Sequence, residues 1–306
     1  FVMMPRAIVA GRRLNEVLRT ESVIQDAPDA VPADELSGNV EFKNVTFRYG
    51  NGESPALENI SFTAEKGMTT AIIGATGSGK STLVSLLPRM YDVSEGAITI
   101  DGKDIRSFTV RSLRDNIAYV PQKNVLLSGT IASNIKFADE NGSDERMTKA
   151  ADIAQASEFI AEKPEQFSEP IAQGGANVSG GQKQRLAIAR AVYKQAPIYV
   201  FDDSFSALDF KTDANLRKAL GDNLGDKTIF IVAQRVGSIM NADRIIVLDD
   251  GKMVGYGTHK ELMQTCPVYE EIARSQLSQA ELENVQTATA EQPIRLQPAK
   301  EGVNNG

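Results

Sequence analysis

The chain has no tryptophan, one cysteine and one histidine, and aromatic residues make up only 6% of its 306 positions. A single cysteine, Cys266, excludes an internal disulfide and fits a reducing compartment; its expected role is packing near a helix end. The lone histidine, His259 in GTHKEL, is a weak functional signal and reads as a structural or surface residue. No apolar window approaches the roughly 18 residues that a bilayer-spanning helix needs. The opening FVMMPRAIVA is too short for a secretory signal and runs into Gly11-Arg12-Arg13. Positive charge is also in deficit: the net charge is −7 and the isoelectric point near 5.0, which argues against a nucleic-acid surface. What is present is 42% hydrophobic residues, enough for a sizeable core in one large domain or two small ones.

Glycine is concentrated where it carries chemistry. GATGSGKS at 74–81 fits the phosphate-binding pattern G-x-x-x-x-G-K-[ST] in full. The preceding TTAII (69–73) reads as a short buried strand, and the stretch from Lys80 to Leu87 as a helix that stops at Pro88. In this order Gly74, Ala75, Thr76, Gly77, Ser78 and Gly79 can converge backbone N–H groups on phosphate oxygens, and the helix N-terminus adds partial positive charge. Lys80 is expected to reach the β- and γ-phosphates of a nucleotide and the Ser81 hydroxyl to ligate Mg²⁺, with Thr82 beside them. Such a site needs a further acidic residue on a neighbouring buried strand. IYVFD (198–202) supplies it, four apolar residues ending in Asp202.

A second glycine-bearing stretch, NVSGGQKQR at 177–185, resembles the signature motif of ATP-binding cassette (ABC) ATPases. The other pieces resemble that family in the same order: Tyr49 in FRYG, Gln122 in YVPQ, LLSGTIASNI (126–135) and SALD (206–209). Together they cover about residues 38–272. The resemblance implies an α/β fold: a P-loop NTPase core with an N-terminal antiparallel β subdomain and an inserted α-helical subdomain at about 123–190, within a domain at 39–272. It implies that Tyr49 stacks on adenine, that Gln122 joins Ser81 and Asp202 at Mg²⁺, and that Asp209 communicates across a dimer. It also implies that Ser179, Gly180, Gly181 and Gln182 cap an ATP bound mainly by another subunit, so that each site is built from two chains.

Two positions depart from the family pattern. Where the family has a glutamate as general base, this chain has Asp203, whose carboxylate sits on a stem one methylene shorter. Where the family has a histidine at the γ-phosphate, it has Gln234, which cannot become cationic or shuttle a proton. Misplacing a catalytic group by about 1 Å can cost on the order of a hundredfold. A milder departure is EPIAQGGAN (169–177), which lacks the Glu-rich segment of exporters; Gln173 stands where one glutamate is expected. This combination resembles the degenerate half of a heterodimeric ABC exporter. It implies an attenuated ATP site, a catalytically competent second ABC subunit, and transmembrane domains encoded upstream in the same polypeptide. The location implied is the cytoplasmic face of the plasma (inner) membrane. Three other readings stay open: a nucleotide-sensing regulatory subunit that never hydrolyses, a soluble ABC ATPase outside transport, and a separate importer subunit.

The coarse organisation follows. A helix is expected over 1–22, continuing from a membrane domain outside this chain. A Pro/Asp/Ala-rich linker follows to residue 38. The alternating VEFKNVTFRY (40–49) opens a β-rich portion, with further strands at 59–63, 69–73, 97–100, 117–120, 198–201, 228–233 and 244–248. Mostly helical residues are expected between Gln122 and the signature, 144–160 among them, then a helix after the signature and a partly disordered tail over 273–306 that starts as a helix.

Overall fold

A computed structural model describes residues 3–277 except 21, 51 and 53. Two sheets organise it. The first is antiparallel, in the order β2-β1-β4-β5, from β1 (Val40–Phe47), β2 (Leu57–Ala64), β4 (Glu95–Ile100) and β5 (Lys103–Asp104). The second runs β12-β11-β3-β10-β9-β6, from β3 (Thr69–Gly74), β6 (Ile117–Val120), β9 (Ile198–Asp202), β10 (Thr228–Val232), β11 (Arg244–Asp249) and β12 (Lys252–Gly257). All its neighbours pair in parallel except the edge strand β12. A two-stranded ladder joins β7 (Gly129–Thr130) to β8 (Pro170–Ile171).

Strands covered on both faces lose the alternation of a half-exposed strand. IYVFD and TIFIV are buried at every position. Their period of two persists in where the side chains go. Ala71, Ile73, Tyr199 and Phe201 face one core, built with the helical segment. Ile72, Ile198 and Val200 face the other, shared with Phe42, Phe62 and Leu83 of the antiparallel sheet and the P-loop helix. The expected α/β core, antiparallel β portion and helical insertion are therefore all present.

The helices are α1 (Met3–Leu18), α2 (Lys80–Leu86), α3 (Val110–Asp115), α4 (Ile131–Ile135), α5 (Asp144–Ile153), α6 (Ser157–Ala161), α7 (Gly180–Lys194), α8 (Phe210–Leu224), α9 (His259–Thr265) and α10 (Pro267–Gln276). The run expected at 144–160 is two helices. Gln155 adopts φ 55°, and the bonds Gln155 N–H to Asp152 O (3.0 Å) and Ala156 N–H to Ala151 O (2.8 Å) close a Schellman-type end. The hydroxyl of Ser157, the first residue of α6, then donates to the Asp152 carboxylate. The first helix ends at Leu18 rather than 22, and residues 273–276, expected in the tail, complete α10. The remainder of the expected tail lies outside the described residues.

The stretch read as a linker is hydrogen-bonded along the domain. Asp26 accepts from Val110 N–H (2.6 Å), Ala33 N–H donates to Ser112 Oγ (2.9 Å), and the Asp101 carboxylate collects the N–H groups of Ser37, Gly38 and Asn39. Ala33 is buried in the second core. Composition marked this stretch as free chain, but its backbone groups find partners in loops distant in sequence.

Candidate functional site

The phosphate loop follows β3 and turns into α2. Its glycines are required by what lies behind them. A Cβ on Gly74 (φ 157°) would stand 2.1 Å from the Leu248 carbonyl oxygen, and one on Gly79 (φ 99°) 2.9 Å from the Ala56 carbonyl oxygen. Gly77 (φ 85°) has open space around it but a left-handed backbone. Lys80 Nζ donates to the carbonyls of Gly74 (2.9 Å) and Ala75 (2.7 Å). Burial lowers its pKa, and the nearby Asp203 and Asp202 charges offset this only in part. The Ser78 hydroxyl is buried without a partner inside the loop. Tyr49 is half-exposed, its hydroxyl 2.9 Å from Thr82 Oγ1 and its ring edge-on to Phe47 and Tyr91.

Two acidic residues at the end of β9 face this loop. Asp202 Oδ1 accepts from Ser81 Oγ at 3.0 Å and Oδ2 from the Tyr119 hydroxyl at 3.3 Å. Its pKa is raised, because burial outweighs these hydrogen bonds. Asp203 is buried in a left-handed backbone conformation, φ 48°. Its Oδ2 accepts from Gln234 Nε2 at 2.7 Å and from Gln122 Nε2 at 3.3 Å. The chain thus brings Lys80, Ser81, Gln122, Asp202, Asp203 and Gln234 to one cluster from separate segments of the chain. Among the described residues no group of three or more His, Cys, Asp or Glu could hold a metal on its own. The oxygen donors here, the Ser81 hydroxyl, the Asp202 carboxylate and the Gln122 amide, are of the hard type that would suit Mg²⁺.

The signature residues form the start of α7. Ser179 caps α7: its Oγ accepts from Gln182 N–H (3.2 Å), and Gln182 Oε1 accepts from Ser179 N–H (3.1 Å). A Cβ on Gly180 would meet nothing within 4 Å, whereas Gly181 backs onto the Ala207 carbonyl. No hydrogen bond joins these residues to the phosphate loop among the described residues. Asp209 caps α8 through Thr212 N–H (3.0 Å), and bonding from Thr212 N–H holds its carboxyl below the usual range.

Sequence reasoning missed two residues that this geometry singles out. Tyr119 read as strand filler. Gln184 read as one more polar residue of QKQR. The available signal for Gln184 was its place one helical turn before Ile188, on the buried face of α7. His259 packs structurally, with Nδ1 2.6 Å from the Tyr269 hydroxyl, and Cys266 is buried between α9 and α10.

Comparison with known proteins agrees with this geometry. Residues 57–206 match the family model described as ABC transporter. An uncharacterized ABC transporter ATP-binding protein of Mycobacterium tuberculosis is 46% identical over 279 residues, 90% of this chain and 47% of the relative. The β-(1→2)glucan export ATP-binding/permease protein NdvA of Rhodopseudomonas palustris is 42% identical over 272 residues, 88% of this chain and 45% of the relative. The solved structure of a bacterial Atm1-family ABC exporter with ATP bound superposes with a TM-score of 0.85 at 34% identity, covering 90% of this chain and 48% of that one. The chain belongs to the ABC transporter family as an ATP-binding domain with exporter-type homologues. It spans about half the length of these relatives. Among its described residues no helix is long and apolar enough to cross a membrane.

Proposed function

We propose that this chain is the ATP-binding part of an ABC exporter, that it works beside a catalytically competent second ABC subunit, and that its own ATP site is attenuated in hydrolysis. The observation that carries the attenuation is the pair of amides on Asp203. Gln234 and Gln122 both donate to the same carboxylate oxygen, so a water must compete with two amide donors at that oxygen. Asp203 is also one methylene short of a glutamate, and Gln234 cannot take or return a proton at physiological pH.

In this reading the Tyr49 ring faces adenine and the backbone N–H groups of Gly74–Gly79 hold the phosphates. Lys80 exchanges its two carbonyl partners for phosphate oxygens. Ser81, Asp202 and Gln122 would hold Mg²⁺, which supplies neutralisation of charge between the β- and γ-phosphates. The partner's signature closes over this nucleotide. This chain's Ser179, Gly180, Gly181 and Gln182 cap the partner's ATP, with Asp209 at the junction. Hydrolysis then proceeds chiefly at the partner's site. Closure has different free energy in the two states of the attached membrane domains, and that difference drives their switch.

Two further features support the transport setting. The name of the NdvA relative joins ATP-binding to permease. Helix α1 exposes Met4, Ile8, Val9, Leu14, Val17 and Leu18, apolar side chains suited to the cytoplasmic end of a membrane domain preceding the ATP-binding domain at 39–272, with the helical insertion at about 123–190. The decisive test compares a transporter in which both ATP-binding halves are this chain with one that pairs it with its partner. The homodimer should turn over ATP about a hundredfold more slowly. Equal rates would refute attenuation. A homodimer that stays silent even with Asp203→Glu and Gln234→His together would favour a nucleotide-sensing subunit instead.

A further inference from the structure

We infer that Gln184 is a positioning residue that couples the signature helix to the Asp203 loop, linking the two ATP sites through one chain. This rests on the composite-site reading above. Gln184 is 3% exposed. Its Nε2 donates to the Asp203 carbonyl at 3.3 Å, and its Oε1 accepts from Ala207 N–H at 3.1 Å. A backbone acceptor on one side and a backbone donor on the other fix which end of the amide faces which. The signature helix touches the same loop a second time, where Gly181 lies against the Ala207 carbonyl.

The loop needs such a hold. Asp203 sits at φ 48°, a region that non-glycine residues occupy at a cost of about 1–3 kcal/mol unless their surroundings over-determine it. Its N–H donates to Val232 O (3.0 Å), and its carbonyl also accepts from Ser206 Oγ (3.1 Å). Gln184 closes this frame from α7. The direction of the Asp203 carboxylate therefore depends on where α7 stands. Helix α7 begins at the Ser179 cap, and Gln184 lies roughly 7 Å along it at 1.5 Å per residue. A shift of the signature on docking to the partner's nucleotide reaches Gln184 through a rigid helix. Packing alone does not call for glutamine here. A leucine would fill the same buried face beside Ile188, whereas a buried amide is tolerable only with both ends bonded.

The test is a double-substitution cycle in the transporter whose two ATP-binding halves are both this chain, where all turnover comes from Asp203 sites. Gln184→Leu should lower kcat for ATP about tenfold while KM changes less than twofold, because nucleotide contacts stay intact. Asp203→Asn should alter turnover in the wild-type background and have little further effect after Gln184→Leu. Gln184→Met removes both bonds with a side chain of similar length and no buried charge, so it should match the leucine variant; it serves if the leucine variant does not fold, as judged by thermal unfolding. A Gln184→Leu kcat within twofold of wild type, or strictly additive effects with Asp203→Asn, would overturn the coupling. Ser179→Arg in the same preparation separates the two ideas. If it leaves turnover unchanged, the composite-site reading itself fails, whatever Gln184 does.

Discussion

The phosphate loop and the signature segment are both glycine-bearing turns that run into a helix, and they differ in what stands behind the glycines. In the loop, Gly74 and Gly79 back onto carbonyl oxygens of this chain at 2.1 and 2.9 Å from a would-be Cβ. The fold itself demands glycine there. At Gly180, the first residue of α7, the surrounding space is empty. Glycine in a helix is worse than alanine by about 1 kcal/mol, and nothing within the chain compensates. In the composite-site reading proposed above, the reason for Gly180 lies in a second molecule, and the phosphate loop is a pocket of this chain alone whereas the signature is half of a shared surface.

The strongest way to break this comparison is to damage each region separately in the assembled transporter. Ser179→Arg should cut turnover by about 10²–10³, the scale of losing a donor at a charged transition state, and leave nucleotide binding to this chain's own loop unchanged. Lys80→Ala should do the reverse: photolabelling of this chain by an ATP analogue is lost, while turnover falls less than about tenfold if, as proposed above, hydrolysis runs chiefly at the other site. If the two variants behave alike, the regions serve one site. Asp203→Glu with Gln234→His should raise homodimer turnover by about tenfold to a hundredfold, as measured by phosphate release.

Stability sharpens the same contrast. Gly74→Ala should destabilise the chain by about 3 kcal/mol or more, since the Leu248 carbonyl is backbone and cannot yield. Gly180→Ala should stabilise it by about 0.5–1 kcal/mol while lowering turnover. Paired thermal melts and assays check both signs. An effect of similar size concerns Asp202. Its folded pKa is raised by burial, so its contribution to stability is complete below the unfolded carboxyl value and is lost as pH rises through the folded one. Without metal, ionised Asp202 weakens the fold at neutral pH. Asp202→Asn should therefore raise Tm at pH 7 in chelator by the equivalent of about 1 kcal/mol. The gain should shrink near pH 4, and nucleotide-dependent stabilisation should disappear.

Much of the core was legible because its signals are local. A strand, a glycine-rich turn and a helix are written consecutively in TTAII-GATGSGKS-TLVSLL. The strands at 117–120, 198–202 and 244–249 follow their apolar runs closely. Other features were not legible. The edge strand β12 is half-exposed and carries glycines at 255 and 257, so it lacks an apolar run. The break at Gln155 depends on an αL turn that glutamine rarely marks. The stretch 23–38 reads as free linker because its partners, Asp101, Ser112 and Asn116, lie many residues away.

The sequence by itself determined the chemistry available: which residues can cradle phosphate, supply oxygen ligands or cap a second nucleotide, and that Asp203 and Gln234 stand where a glutamate and a histidine are expected. Those are properties of residue type and spacing. Only the tertiary structure decided how they combine. It joined both glutamine amides to one oxygen of Asp203, tied Gln184 to the same residue's backbone, and left Ser179 and Gln182 bonded to each other. Side-chain hydrogen bonds have a reach of about 3 Å, and which groups fall within it depends on strands paired across long stretches of chain, which no local pattern encodes.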